Sequence, residues 1–222
     1  MLPEKILQLR ERVIEMSALA EEMIDQSIRG LTEKNPRLLR EVLERSETRV
    51  NDLEIAIDEL GAAIIALHEP RAKDLRLILM ALRMSADLER IGDHAVNIAQ
   101  SAEFLIERPP VKPLVDIPLM AEETRAMLRD SIDAFVHEDP EKAAAVLKRD
   151  DRIDAFRDQI MRELITYMLS DASTIERAMR LIHITQNLER AADLSTNICE
   201  DVIYLVQGRV VKHRRAGQPG QP

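Results

Sequence analysis

A short pattern that occurs twice, one hundred positions apart, limits what this chain can fold into more than any other feature. Leu82–Gln100 reads LRMSADLERIGDHAVNIAQ, and Ile182–Cys199 reads IHITQNLERAADLSTNIC. Between 87 and 98, six of twelve positions recur without a gap: Leu88/Leu188, Glu89/Glu189, Arg90/Arg190, Asp93/Asp193, Asn97/Asn197 and Ile98/Ile198. On a helix, residues four apart share a face. The retained E-x-x-x-D therefore sets Glu89 beside Asp93 and Glu189 beside Asp193, and the fold must hold two related units.

Prolines divide the chain into segments that read as helices. Ahead of the tail they fall at 3, 36 and 70, then at 109, 110, 113 and 118, then at 140, and proline is tolerated in a helix only in its first turn. Six helices are predicted, at about 4–34, 36–67, 71–107, 117–138, 140–169 and 173–207, the last capped by Asp171 or Ser173 ahead of Ile175. Aromatic residues make up only 2% of the chain, whereas Leu, Ile, Ala, Met, Glu and Arg dominate, a composition that suits packed helices rather than sheets. In the first helix Ile6, Leu9, Val13, Met16, Ala20, Met23, Ser27 and Leu31 recur at three- and four-residue steps and form a core-facing seam. RPPVKPLVDIP (108–118) is the linker-like stretch, with three helices on each side of it. The expected fold is all-α: two tandem pseudo-symmetric three-helix bundles, residues 1–110 and 111–212, followed by a disordered tail at 213–222. Helices of 30 residues run to roughly 45 Å, so each bundle should be elongated.

The repeated acids point away from the core. Ala81, Met84, Leu88, Ile91, Ala95, Ile98, Ala102 and Leu105 make an apolar stripe, and Glu89 and Asp93 lie roughly 120–160° around from it. In the second copy Leu181, Ile184, Leu188, Ala191, Ile198, Val202 and Leu205 face inward, with Glu189 and Asp193 turned out. A solvated face usually places Lys or Arg four residues from its acids. Here only Arg90 and Arg190 stand near along the axis, and a repelling acidic pair is kept in both copies. A bound cation would reverse the sign of that repulsion.

The second helices supply partners. Aligning Val50 with Ile153 pairs Glu47 with Asp150 and Asn51 with Asp154. If second and third helices pack antiparallel, each bundle gathers about four oxygen-bearing side chains. All-oxygen sets suit hard cations (Mg, Mn, Ca or iron) rather than a closed zinc site. A solvated helix face is the alternative. Gly92, matched by Ala192, is read either as a close approach by another helix or a ligand, or as a glycine the helix simply tolerates.

Other readings are weaker. A di-iron carboxylate centre, as in an oxidase or a metal store, needs Glu-x-x-His on the helices of one bundle. None of the five histidines has Glu three residues before it. His94 follows Asp93 in the first copy only, where the second has Leu194, and is read as a surface residue rather than a repeated ligand. No phosphate-cradling, nucleophile-elbow or zincin motif is present, although a metal-dependent enzyme using the same acids stays open. The formal charge of −9 disfavours a non-specific nucleic-acid binder. The lone Cys199 permits no intrachain disulfide and is read as a core thiol. The charged amino terminus MLPEKILQLRERV is unlike a signal peptide, and no apolar run approaches a membrane span. A soluble cytoplasmic protein is expected.

ADLERIGDHAVNIA (86–99), NLERAADLSTNI (187–198) and EPRAKDLR (69–76) together resemble the PhoU family of bacterial phosphate-signalling regulators, over essentially 4–207. The resemblance implies a twin three-helix bundle that often forms a homodimer. It implies metal ions (Fe, Mn, Mg or Zn) at surface acids, here Glu89, Asp93, Glu189 and Asp193 with Asp150 and Asp154. It also implies a non-enzymatic cytoplasmic adaptor that restrains the phosphate-starvation response. The partners implied are the ATPase subunit of the phosphate ABC transporter and the sensor histidine kinase of the phosphate regulon, with membrane contact only through them. The first cluster departs from the acidic pattern at Asn51, a neutral donor, and is expected to hold a cation less tightly than the second.

Overall fold

The structure is a computed structural model, and it describes residues 1–208. The tail expected to be disordered, 213–222, lies outside the described residues. Among the described residues the fold has eight α-helices: α1 (Leu2–Thr32), α2 (Pro36–Glu41), α3 (Glu47–His68), α4 (Ala72–Ile106), α5 (Asp116–His137), α6 (Pro140–Leu147), α7 (Asp150–Ser170) and α8 (Ile175–Gln207). A π-helical turn, Val42–Ser46, joins α2 to α3, and a 3₁₀ turn, Ala172–Thr174, leads into α8. The expected 36–67 segment is continuous through the π turn. The expected 140–169 helix is instead two helices, interrupted at Lys148–Arg149.

Both bundles follow the same plan. Their first helices end on non-glycine residues in the left-handed region, Lys34 (φ 50°) and Glu138 (φ 52°). Next come Asn35-Pro36 and Asp139-Pro140. Asn35 caps α2 by accepting from the Arg37 N–H, and Asp139 caps α6 by accepting from the N–H groups of Glu141 and Lys142. Such caps satisfy helix N–H groups that have no intrahelical partner.

Counting from those capping residues explains the π turn. Asn35 to Val50 is one residue longer than Asp139 to Ile153. A single extra residue inside a helix is what a π turn accommodates. The first bundle absorbs it at Val42–Ser46, immediately before Glu47.

Long helices carry the core. The predicted seam of α1 is buried from Leu9 to Leu31, with Ile6 packed at its edge. The stripes of α4 and α8 are buried as well, apart from the half-buried Leu105. Cys199 is fully buried, and burial pushes its thiol up to about 12, so it packs as an inert apolar side chain.

Helices α4 and α8 pack on one another as well as on their own bundles. Four polar contacts fix their relative direction: the Arg76 Nε–H donates to the Leu205 carbonyl, Arg83 bonds Asp201, His94 bonds Asn187 and Ser101 bonds His183. Numbers rise on one helix as they fall on the other, so the crossing is antiparallel. Arg83–Asp201 and His183–Ser101 occupy equivalent places, as a pseudo-twofold axis between the bundles requires. His94 is therefore not the surface residue expected: it is half buried between the bundles, with Nδ1 2.9 Å from Asn187 Oδ1. Burial, together with Arg190 and Arg90, lowers its pKa.

Twin acidic clusters between second and third helices

The second helix of each bundle lies against the third, α3 on α4 and α7 on α8. The acids line the seams between them. Close approach is possible in the first bundle because Gly92 lacks a side chain: a Cβ there would stand 3.3 Å from Val50 Cγ1. Its counterpart Ala192 is fully buried. The neighbour anticipated at this position is thus another helix.

In the first bundle Glu89 is half buried on α4, and Asp93, one turn on, is exposed. Glu47 opens α3 directly after the π turn, and Asn51 follows, exposed, one turn later. A further acid, Glu54, joins them. Burial raises the pKa of Glu89, and the charges of Asp93, Glu54 and Glu47 add to the effect, partly relieved by Arg90. Glu54 is raised by burial and then by Asp58 and Asp93. Arg90 bonds Asp87 at 3.4 Å. The α3 charges that act on Glu89 and Glu54, namely Glu47, Glu54 and Asp58, are all acids.

The second bundle repeats the arrangement with one difference. Glu189 and Asp154 are half buried, Asp193 is exposed, and Asp150 stands at the start of α7. Although Asp193 is open to solvent, its carboxyl is partly desolvated, and this together with Glu189, Asp150 and Asp154 pushes it up to about 6. Asp150 is raised by burial, then by Asp154, Asp151 and Glu189. Into this cluster reaches Arg157. Its guanidinium donates to Asp154 Oδ1 at 2.7 Å and to Glu189 Oε1 at 2.8 Å, and bonds Asp158 at 3.0 Å.

Glu54 and Arg157 are the two residues that the spacing argument missed. The alignment that pairs Glu47 with Asp150 and Asn51 with Asp154 also pairs Glu54 with Arg157, one turn further on. Reading that extra turn would have found both.

The donor chemistry can be compared with a cation's needs. The first set offers only oxygen donors, from Glu47, Glu54, Glu89 and Asp93, with the neutral amide oxygen of Asn51 beside them; these suit a hard divalent or trivalent ion. The second offers Asp150, Asp154, Glu189 and Asp193, but two of the four already bind a guanidinium. Among the described residues, no three carboxylate, imidazole or thiolate side chains stand close enough together to hold a metal ion as they are placed. No helix among them is long and apolar enough to cross a membrane.

Known proteins match this plan from end to end. The family model described as PhoU domain matches twice, at residues 13–102 and 117–202. The phosphate-specific transport system accessory protein PhoU homolog of Aquifex aeolicus is 38% identical over 218 residues, covering 98% of each chain. The accessory protein PhoU of Escherichia coli K12 is 33% identical over 207 residues, 92% of this chain and 85% of that one. In three dimensions the crystal structure of PhoU from Pseudomonas aeruginosa superposes with a TM-score of 0.90 at 31% identity, covering 94% of this chain and all of that one. The phosphate transport system regulatory protein PhoU from Streptococcus pneumoniae superposes with a TM-score of 0.87 at 25% identity, over 96% of this chain and all of that one. Two matched repeats, relatives that align over nearly the whole chain and solved structures that superpose on it have one consequence: this chain belongs to the PhoU family.

Proposed function

We propose that this protein is a non-enzymatic accessory regulator of phosphate transport. It works in the cytoplasm, where it couples the ATPase of the phosphate ABC transporter to the sensor histidine kinase of the phosphate regulon and so restrains the starvation response. The observation that carries this reading is the match over 98% of both chains to a protein named for phosphate-specific transport accessory work. The relative from Streptococcus pneumoniae is named a regulatory protein of the same system.

The geometry supports a docking role. Long rigid helices hold two related acidic seams at the surface, a scaffold for partners rather than a closed reaction chamber. The first seam holds a metal ion, which offsets the mutual repulsion of Glu47, Glu54, Glu89 and Asp93, and two copies of the chain associate as a homodimer. Copurification tests the reading: tagged protein from cells grown at low and at high phosphate should retain the transporter ATPase and the kinase. Retention of neither under both conditions overturns it. Turnover of a phosphate ester that is lost in Glu189→Ala would replace it with a metal-dependent enzyme.

A further inference from the structure

The two ends of the α4–α8 crossing are built alike, yet only one is closed from within. At one end Glu138, which follows α5, is held by Arg10 and Lys73 of the first bundle. At the other end its equivalent is Lys34, which follows α1 in the same left-handed conformation. The register that matches Met16 with Met120 sets Leu114 in the place of Arg10, and the register of the repeat on α4 and α8 sets Ser173 in the place of Lys73. Neither replacement carries a charge, and Lys34 makes no ion pair among the described residues. What lies at this end instead is a groove of about 520 Å³ between the end of α1 and the proline-rich connection to α5. Its apolar surface comes from Leu31, Val111 and Leu114, and Leu105 and Leu181 continue it toward Arg108.

The charged residues that line the groove, Lys34, Arg108 and Lys112, are all cations, in a chain whose formal charge is −9. Glu33 and Glu107, next to them in sequence, do not line it, and Glu33 is engaged by Arg29. Lys112 already holds Asp116 and Glu163. Arg108 holds no carboxylate among the described residues: its guanidinium lies 3.5 Å from the centre of the Phe104 ring and donates to the Phe104 carbonyl at 2.7 Å. Arg177 donates to the Pro109 carbonyl at 2.6 Å and ties the connection to α8. The groove is thus formed before anything enters it, which lowers the ordering cost of binding.

We propose that this groove docks an acidic, aliphatic peptide segment of a partner protein, with a carboxylate on Lys34 and Arg108 and an apolar side chain on Leu31, Val111 and Leu114. The carboxylate supplies the counter-charge that Glu138, with signs reversed, finds in Arg10 and Lys73 at the other end. Charge selects the occupant. A basic segment would meet Lys34 and Arg108 as like charges, and two grooves of a symmetric pair of chains, face to face, would oppose cation to cation. The proposal goes beyond the accessory reading and does not depend on it: copurification tests which proteins are bound, and peptide binding tests the groove.

The test pans the full-length protein against a phage-displayed heptapeptide library, then titrates the selected peptide, synthesised with a fluorescent label, by anisotropy. Selection is expected to enrich Asp or Glu beside Leu, Ile or Val. The peptide should lose about tenfold in affinity on Lys34→Glu and on Leu114→Glu, and should bind more weakly as salt rises. Its copy with lysine in place of each acid should bind the double variant Lys34→Glu with Arg108→Glu and not wild type. Glu138 shows that glutamate fits the backbone conformation of residue 34, and far-ultraviolet circular dichroism with thermal melts checks that each variant is folded. Absence of enrichment, enrichment of basic or purely apolar peptides, or equal affinity for wild type and both single variants overturns the proposal. So does cosedimentation with phosphatidylglycerol vesicles, or self-association of wild type, that Lys34→Glu abolishes while peptide binding is unchanged; either result would give the groove to a lipid surface or to a second copy of the chain.

Discussion

Asp193 shares its seam with Glu189, Asp150 and Asp154, and a single guanidinium serves the group. Its carboxyl titrates at about 6, against an ordinary value of 3.8. The folded chain thus holds this proton more tightly than the unfolded chain does. Stability at this group is gained as pH falls from about 6 toward 3.8, and it is given up as pH rises back through that window. Glu89, Glu54 and Asp150 shift in the same direction. In metal-free buffer Asp193→Asn should therefore stabilise the protein at pH 7.5 and do nothing at pH 3.5. Solvent reaches Asp193 and screens the repulsion, so the gain is at most about 1 kcal/mol, or roughly 2–4 °C in melting temperature for a chain of this size. Thermal melts of wild type and variant across pH check it; an equal difference at both pH values would contradict the charge argument.

At the level of elements, the duplication is visible in how helices start and stop. Lys34 and Glu138 take the same left-handed conformation at equivalent places, although neither is glycine, and an Asn-Pro or Asp-Pro cap follows each. The caps matter unequally. Asn35 begins a segment that continues through the π turn into α3, whereas Asp139 begins the eight-residue α6, and short helices have few internal bonds to spare. Asp139→Ala leaves two N–H groups without their acceptor and should cost about 1 kcal/mol, read as a lower denaturant midpoint at unchanged slope. Asn35→Ala should cost less. A larger loss at Asn35 would show that the continuous segment depends on its first turn more than the geometry implies.

On the scale of the whole molecule, the two bundles are joined by faces that correspond yet differ in charge. Counting from the caps, α1 matches α5 with Met16/Met120, Met23/Met127, Ser27/Ser131 and Ile28/Ile132 as equivalent pairs. The same register sets Glu21 against Arg125 and Asp25 against Arg129. Across the α1–α5 contact these residues bond one another: Arg125 pairs with Asp25 and with Glu21, and Arg129 pairs with Glu21. Identical repeats would have met here acid to acid. Arg10 and Lys73 both hold Glu138, a second clasp between the bundles. The proline-rich connection is pinned too, since the buried Lys112 joins Asp116 and Glu163. Arg125→Glu with Arg129→Glu should destabilise the fold by about 2 kcal/mol, and adding Glu21→Arg with Asp25→Arg should restore most of it. Chemical denaturation of the three proteins checks this, and absence of rescue would show that the charges act independently.

Much of this was present in the chain itself. A six-of-twelve repeat, prolines at helix starts and seams at three- and four-residue spacing determined that two related helical bundles would form, with Glu89, Asp93, Glu189 and Asp193 turned away from the core, because local periodicity fixes which face of a helix is apolar. Glu47 and Asp150 could be placed beside them because the repeats align. What tertiary packing alone decided depends on residues far apart in sequence. The antiparallel α4–α8 crossing carried His94 off the surface and against Asn187. One inserted residue became a π turn in the first bundle, while the equivalent helix in the second broke at Lys148–Arg149. Above all, packing α7 on α8 brought the guanidinium of Arg157 onto Glu189, 32 positions away. Periodicity reports the direction in which a side chain leaves its own helix; which charge it meets is settled only when another helix arrives.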